Sequence, residues 1–454
     1  GDLLQRGGEF RDGLLAEALS FLTPEFVLAL GRAIARVLPE RRVVIGHDPR
    51  ESAPVLEAAL SAGLTAQGVD VELVGMMPTP GIAAISARQC VPGIVVTASH
   101  NPYTDNGIKV FAAGGRKLSD AEQSAIETEL DKATHHLDGA AIVPGAITRN
   151  HDAADDYVDH LVTMFGPGTL SGLRISIDTA NGAMSVVAPR VFENLGADVV
   201  VMNDAPTGLN INVDCGATAP RALCEFVAEA HHGLNVDIGF AFDGDGDRVI
   251  AVDETGKIVD GDRTIALSAL ERVGSGTLIG GTVVVTVMTN LGFHRAMDAA
   301  GIQVVTTAVG DRNVLQAMES GGYVIGGEQS GHIIHRDLAT TGDGLLAAIV
   351  LARMCRREKL EHQRTFSTVA DAVMTTVPQV LRAVPVTTRP DDLDVALASE
   401  LAAARDRLGE TGRLLVRMSG TEPVVRVMVE SDSTDLASNV ADGLVDVVKA
   451  RWGA

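Results

Sequence analysis

The chain has 454 residues, 46% of them hydrophobic but only 3% aromatic, and 37 basic against 59 acidic side chains give a net charge of −22. That length accommodates three or four units of ~100–200 residues with aliphatic cores, while the acidity and the scarcity of aromatics exclude a basic, base-stacking nucleic-acid surface. No apolar run nears the ~18–20 residues of a membrane span, no secretory leader is evident around Glu9 and Asp12, and Cys90, Cys215, Cys224 and Cys355 lack disulfide or metal-ligand spacing, as expected of free thiols in a reducing cytoplasm.

Residues 42–46 read as a buried strand, 54–68 as a helix, and 69–75 and 93–97 as further strands, the last ending in a polar cluster. Ser119 and Glu122 have the S-x-x-E spacing of a capping box and predict a helix running toward residue 130. A polar stretch with glycine and proline at 135–149 reads as a linker. Strand–helix alternation restarts at 173–177, 197–202 and 236–242, then again at 282–287 and 302–306. Three cycles of similar length predict three related α/β domains. The tail differs. Strands at 413–417 and 424–429 around a short polar loop, then a helix at 435–449, predict a separate α+β domain. The expected boundaries are 1–150, 151–256, 257–369 and 370–454.

Four loops carry residues suited to chemistry. T-A-S-H-N-P at 97–102, followed by Lys109, puts Ser99 at the carboxyl end of a strand, where α/β proteins commonly bind ligands. Ser99 can serve as nucleophile or phosphoryl carrier, with His100 or Lys109 adjusting its charge; a plain turn capped by Ser99 and Asn101 fits the same residues. In D-G-D-G-D-R at 243–248, Asp243, Asp245 and Asp247 alternate with glycines, so their oxygens can surround one hard cation. An EF-hand is excluded because its sixth position is Arg248 instead of glycine and 249–252 reads as a strand. In G-E-Q-S-G-H at 327–332, Glu328 and Ser330 can read hydroxyls and His332 can move protons, although an ordinary loop fits too. Thr340 or Thr341 is expected to cap the apolar helix that follows. In R-M-S-G-T-E-P at 417–423, with Arg426 beyond, Arg417, Ser419, Gly420 and Thr421 can form an anion nest or a simple hairpin turn. Phosphoryl transfer on a phosphorylated sugar is the reaction that needs all four.

From about residue 22 onward, and in order and spacing, the four loops resemble those of the α-D-phosphohexomutase superfamily, most of all its bacterial members that act on glucosamine phosphates. D-T-A-N-G-A at 178–183, G-L-N-I-N at 208–212 and V-G-D-R at 309–312 extend the likeness. The resemblance implies four domains around a central cleft, three related α/β sandwiches plus a C-terminal α+β domain. It implies that Ser99, once phosphorylated, exchanges its phosphoryl group with a hexosamine phosphate through glucosamine 1,6-bisphosphate. One Mg²⁺ per chain would sit on Ser99, Asp243, Asp245 and Asp247. His100, Lys109, Arg248 and His332 would assist catalysis, and Glu328, Ser330, Arg417, Ser419, Gly420, Thr421 and Arg426 would bind substrate. The implied protein is a cytoplasmic monomer or homodimer with a small-molecule partner and no nucleic acid or membrane. Three places depart from the family pattern: the opening F-G-T-D-G-x-R-G segment, which here reads G-E-F-R-D-G-L-L at 8–15, and the residues Ala219 and Asn313. A glucose or mannose phosphate mutase, an impaired sugar-phosphate-binding homologue and a phosphatase are the alternatives.

Overall fold

Three Val- and Ile-rich blocks of the chain each build a sheet on one plan. Three parallel strands take the order second, first, third, and a fourth runs antiparallel beside the third. The computed structural model describes residues 14–17, 22–133, 143–230, 235–388, 392–419 and 423–453. The altered opening segment therefore lies outside the described residues up to position 13.

The first block comprises β1 (Leu14–Glu17), β2 (Arg42–His47), β3 (Asp70–Met76), β4 (Gly93–Val96), β5 (Asp105–Ala112), β6 (Arg116–Lys117) and β7 (Ile147–Arg149). The sheet order is β1-β5-β4-β2-β3-β7, with β6 paired to β5 alone. Helices α1 (Pro24–Val37), α2 (Ala53–Thr65), α3 (Thr79–Gln89) and α4 (Asp120–Ala133) accompany it. Pro24 supplies a preset φ at the start of α1 while the Thr23 hydroxyl accepts the Phe26 N–H. The aliphatic face of α1 then buries Val27, Leu30 and Ile34 in one core with Leu56, Leu60 and Ile94. The predicted capping box opens α4: Glu122 accepts the Ser119 N–H at 2.8 Å and Ser119 Oγ accepts the Glu122 N–H at 3.3 Å. The linker expected at 135–149 is corrected at its end, because Ile147–Arg149 pairs in parallel with β3 as an edge strand. Short exposed edge strands lack the alternation that would reveal them.

The second block holds α5 (Ala153–Phe165), β8 (Arg174–Asp178), α6 (Ala188–Asn194), β9 (Asp198–Met202), α7 (Arg221–Ala230), β10 (Ile238–Phe242), β11 (Val249–Asp253) and β12 (Ile258–Val259). Its order is β12-β11-β10-β8-β9. The third begins with α8 (Gly261–Gly274) and β13 (Thr282–Thr286). The next helix, α9 (Leu291–Ala299), groups with the C-terminal unit. The block continues with β14 (Gln303–Thr307), α10 (Asp311–Gly321), β15 (Ile325–Gly327), β16 (Ile333–His335), α11 (Gly344–Glu361) and α12 (Phe366–Val373), in the order β14-β13-β15-β16. Every residue of β10 and β13 is buried, which explains their largely apolar sequences: a central strand is covered on both faces.

One compact unit runs up to Val287 and resumes over Gln303–Ala372; the other joins Met288–Ile302 to the chain from Val373 on. In the latter, β17 (Gln379–Pro385), α13 (Leu393–Ala396), α14 (Ala398–Leu408), β18 (Gly412–Met418), β19 (Val424–Ser431) and α15 (Thr434–Trp452) form an antiparallel sheet, β17-β19-β18, backed by helices. Its core unites Leu401, Val425, Val427, Val440 and Leu444. No helix among the described residues is long and apolar enough to cross a membrane.

The cap of α11 is another correction. The backbone stays extended through Asp343, whose Oδ1 accepts the Leu346 N–H at 2.9 Å, so Asp343 is the N-cap and neither Thr340 nor Thr341 is. Burial pushes the Asp343 carboxyl up to about 6, and Tyr157 donates to it at 2.7 Å. Asp343→Ala is expected to destabilise the protein by about 1–2 kcal/mol, the usual worth of a cap. Asp343→Asn should recover most of that loss, with melting temperature as the measurement.

Candidate active site

In all three blocks the connection between the third and fourth strands leaves the carboxyl end of a parallel strand. These connections are the loops at 97–104, 243–248 and 328–332, and they meet within one compact unit.

Ser99 sits at φ +51°, a left-handed conformation that a serine adopts only when its surroundings impose it. Arg50 imposes it. This arginine is 1% exposed and donates to the carbonyl oxygens of Ser99 at 3.0 Å, Asn101 at 2.9 Å and Asp105 at 2.9 Å, and also to that of Pro102. Asp48 balances its charge at 2.8 Å and accepts the Thr97 hydroxyl at 2.6 Å, while Thr97 Oγ1 accepts the Ser99 N–H at 2.9 Å. Asn212 adds a donor to the Ser99 carbonyl at 2.9 Å.

The Ser99 hydroxyl donates to Asp243 Oδ2 at 2.7 Å. Carboxylate oxygens of Asp243, Asp245 and Asp247, all buried, lie within 4.8 Å of one another. Burial, and then the charges of Asp247 and Asp245, push Asp243 up to about 8. Burial also raises Asp247, but Lys109, His332 and Arg248 outweigh it and hold this carboxyl well below its ordinary range. Lys109 donates to Asp245 at 2.7 Å and to Asp247 at 3.0 Å; those carboxylates raise its pKa against the opposing effect of burial. Asp245 Oδ1 and Asp247 Oδ1 are buried with no hydrogen-bond donor in place. Buried anionic oxygens without donors, converging from three carboxylates, fit a hard divalent cation.

Glycine at 244 and 246 is a geometric requirement. A Cβ on Gly244 would stand 2.6 Å from the Ser99 carbonyl oxygen, and Gly246 has φ +76° against the Met184 side chain. Thr79 fixes the loop from the first block: its N–H donates to the Asp245 carbonyl at 2.9 Å and its hydroxyl to the Asp245 carboxylate at 2.5 Å.

A cavity of about 310 Å³ opens beside Ser99, His100, Lys109 and Arg248 and extends to Glu328 and His332. Burial, and then Arg248, push His100 down to about 4, so it is a neutral imidazole there. Arg248 donates its backbone N–H to Asp243 at 3.0 Å and places Nε 3.8 Å from Asp247. His332 lies between two carboxylates, with Nδ1 3.5 Å from Asp247 and Nε2 3.5 Å from Asp311. Burial works against a charged imidazole, but the two carboxylates overcome it and raise the His332 pKa. Glu328 accepts the Gly310 N–H at 3.0 Å and the Ser330 hydroxyl at 3.3 Å.

The fourth loop belongs to the C-terminal unit. Arg417 and Arg426 face each other across β18 and β19. Burial, and then Arg426, lower the Arg417 pKa, and Arg417 Nε is buried without a hydrogen-bond partner. Ser419, also buried, donates its N–H to the Val424 carbonyl at 2.8 Å. Two like charges and an unused donor suit an anion. Gly420 and Thr421 lie outside the described residues.

The sequence reading assigned no role to Arg50, Asp48, Thr79, Asn212, Lys117 or Asp311. H-D-P-R at 47–50, an ionic pair at the carboxyl end of a strand, is a local signal for the first two, and G-L-N-I-N and V-G-D-R contain Asn212 and Asp311.

A hydroxyl bonded into a cluster of three carboxylates, with Lys109, Arg248 and two imidazoles lining the adjoining cavity, is the equipment for moving a phosphoryl group. Four models of the phosphoglucomutase/phosphomannomutase family match the chain: alpha/beta/alpha domain I over residues 10–136, domain II over 155–256, domain III over 260–377 and the C-terminal domain over 381–447. The chain is 46% identical over 450 residues to the phosphoglucosamine mutase of Thermobifida fusca, covering 96% of this chain and 97% of that protein. It is also 46% identical over 447 residues to that of Saccharopolyspora erythraea, covering 97% and 98%. Among solved structures, a phosphoglucomutase/phosphomannomutase family protein from Burkholderia thailandensis superimposes with a TM-score of 0.80 at 26% identity, covering 96% of both chains. The Aspergillus fumigatus N-acetylphosphoglucosamine mutase, solved with GlcNAc-6P and magnesium, shares the fold with a TM-score of 0.66 at 17% identity, covering 99% and 98%. The chain belongs to the phosphoglucomutase/phosphomannomutase family.

Arg50→Lys keeps the buried charge but loses the planar fork that holds several carbonyls at once. It is expected to lower kcat ~10–100-fold with little change in KM, because displacing a reacting atom by about 1 Å costs that much. Steady-state kinetics alongside an unchanged far-UV circular dichroism spectrum would check it.

Proposed function

We propose that this chain interconverts glucosamine 6-phosphate and glucosamine 1-phosphate through a phosphorylated Ser99 and a glucosamine 1,6-bisphosphate intermediate. The observation that carries the reading is the Ser99 hydroxyl, 2.7 Å from Asp243 inside the carboxylate cluster and open to the cavity. The full-length similarity to phosphoglucosamine mutases supports the choice of sugar. Four unpaired cysteines accord with a reducing, cytoplasmic setting.

In the first half-reaction the sugar O1 attacks the phosphorus on Ser99. The P–Oγ bond breaks as the new O1–P bond forms; the O1 proton is given up and Ser99 Oγ takes up a proton, which restores its hydroxyl. His332, at the cavity wall with its ring held between two carboxylates, is the group placed to exchange a proton with the sugar oxygen, as acid or base. The bisphosphate then turns, Ser99 Oγ attacks the 6-phosphorus as it gives up its proton, and the P–O6 bond breaks with a proton going to O6, leaving glucosamine 1-phosphate. Asp243, Asp245 and Asp247, with an oxygen of the Ser99 phosphoryl group, would hold one Mg²⁺, which when bound neutralises charge at the transferring group. Lys109 and Arg248 orient the equatorial oxygens. Glu328 and Ser330 bind ring hydroxyls in both orientations, and Arg417 with Ser419, Gly420, Thr421 and Arg426 grips a phosphate.

Ser99→Ala is expected to abolish turnover, by a factor of ~10³ or more, while binding of glucosamine 6-phosphate by calorimetry persists; undiminished turnover would overturn the assignment. A coupled assay with catalytic sugar bisphosphate and Mg²⁺ should show glucosamine 6-phosphate preferred over glucose and mannose 6-phosphates. Chelation should remove the activity and added Mg²⁺ restore it. Inorganic phosphate released as fast as isomerisation would indicate a phosphatase instead.

A further inference from the structure

The cavity contains one ion pair that the proposed chemistry leaves unused. Three carboxylates line its wall: Asp247, Asp311 and Glu328. Asp247 belongs to the metal loop and is occupied by Lys109 at 3.0 Å. Glu328 spends one oxygen on the Gly310 N–H and the other on the Ser330 hydroxyl. Asp311, the first residue of α10, is held differently. It meets two side chains, Lys117 in a close ion pair and His332 Nε2 at 3.5 Å. Its own side chain is 17% exposed, and that of Lys117 is 25% exposed. Lys117 is carried by β6, a two-residue strand entered through Gly114 and Gly115, both at positive φ.

Resting on the reading above, we infer that Asp311 recognises the 2-ammonium group of the hexosamine phosphate, taking it in exchange for the ammonium group of Lys117. The swap replaces one primary ammonium by another, so no buried charge is left uncompensated. A 2-hydroxyl at the same place can donate a hydrogen bond but cannot replace the lysine's charge, and the charged donor makes the stronger bond. Glu328 ties the backbone immediately before Asp311 at 3.0 Å, so the hydroxyl reader and the ammonium reader share one wall. Asp311 thereby decides between amino and neutral sugars in the orientation that brings C2 to it.

The test measures kcat/KM for glucosamine 6-phosphate and glucose 6-phosphate on the full-length Mg²⁺-loaded enzyme and on Asp311→Asn. The expected result is a fall of ~10-fold or more in the ratio favouring the amino sugar, the worth of a charged over a neutral hydrogen bond. Equal losses on both sugars would mean that Asp311 only positions His332, and an unchanged ratio that it touches neither sugar; either overturns the inference. Lys117→Gln supplies an independent arm. Removing the competing ammonium should lower KM for glucosamine 6-phosphate relative to glucose 6-phosphate, and a constant ratio counts against the exchange. A wild-type enzyme inactive on glucosamine 6-phosphate would remove the parent reading. An active one whose discrimination survives Asp311→Asn removes this inference alone.

Discussion

Three carboxylates buried within one small volume repel one another, and that repulsion organises the site. At an effective dielectric of ~20, two unit charges separated by the span of this cluster cost about 3–4 kcal/mol. The protein answers with partial measures: a proton favoured on Asp243, an ammonium from Lys109 across Asp245 and Asp247, and Arg248 alongside. Two buried oxygens stay without donors even so. A region arranged in this way is stable only in company with positive charge, and the same field makes it receptive to a metal beside a phosphoryl group.

The serine side of the site solves a different problem. A left-handed serine is unfavourable by itself, and the chain holds it with a single arginine distributing its N–H groups over four carbonyl oxygens. Asp48 keeps that arginine neutralised and, through Thr97, reaches back to the Ser99 amide. The result is a closed polar network in which every strong donor has an acceptor, so the loop keeps its shape without a large apolar anchor. The hydroxyl is thereby aimed at the acidic cluster before any ligand arrives.

Much of this was legible beforehand, for identifiable reasons. The largely apolar runs at 238–242 and 282–286 announce central strands because both faces are covered. The capping box at Ser119 and Glu122 is a local device and was read locally. Aspartates alternating with glycines bring their carboxylates together without help from distant chain. Illegible were the groups whose meaning depends on a remote partner. Arg50 meets Ser99 across 49 positions and Asp245 meets Thr79 across 166. The edge strand at Ile147–Arg149 has three exposed residues and no periodicity to read. Asp343 went unseen as a cap because two threonines just ahead of it carry the same local chemistry, and only the extended backbone at 343 settles which one serves.

The acidic loop is moored on both flanks. Thr79 ties it to the first block through main chain and side chain, and from the second block Ala183 donates its N–H to the Gly244 carbonyl at 2.8 Å. A Cβ on Gly182 would come within 2.4 Å of that same carbonyl oxygen. The loop thus works as a keystone, wedged where two arches abut and with no slack on either side. A keystone has no room to shift, so the spacing between the Ser99 hydroxyl and the acidic cradle is set by the masonry on both sides of it.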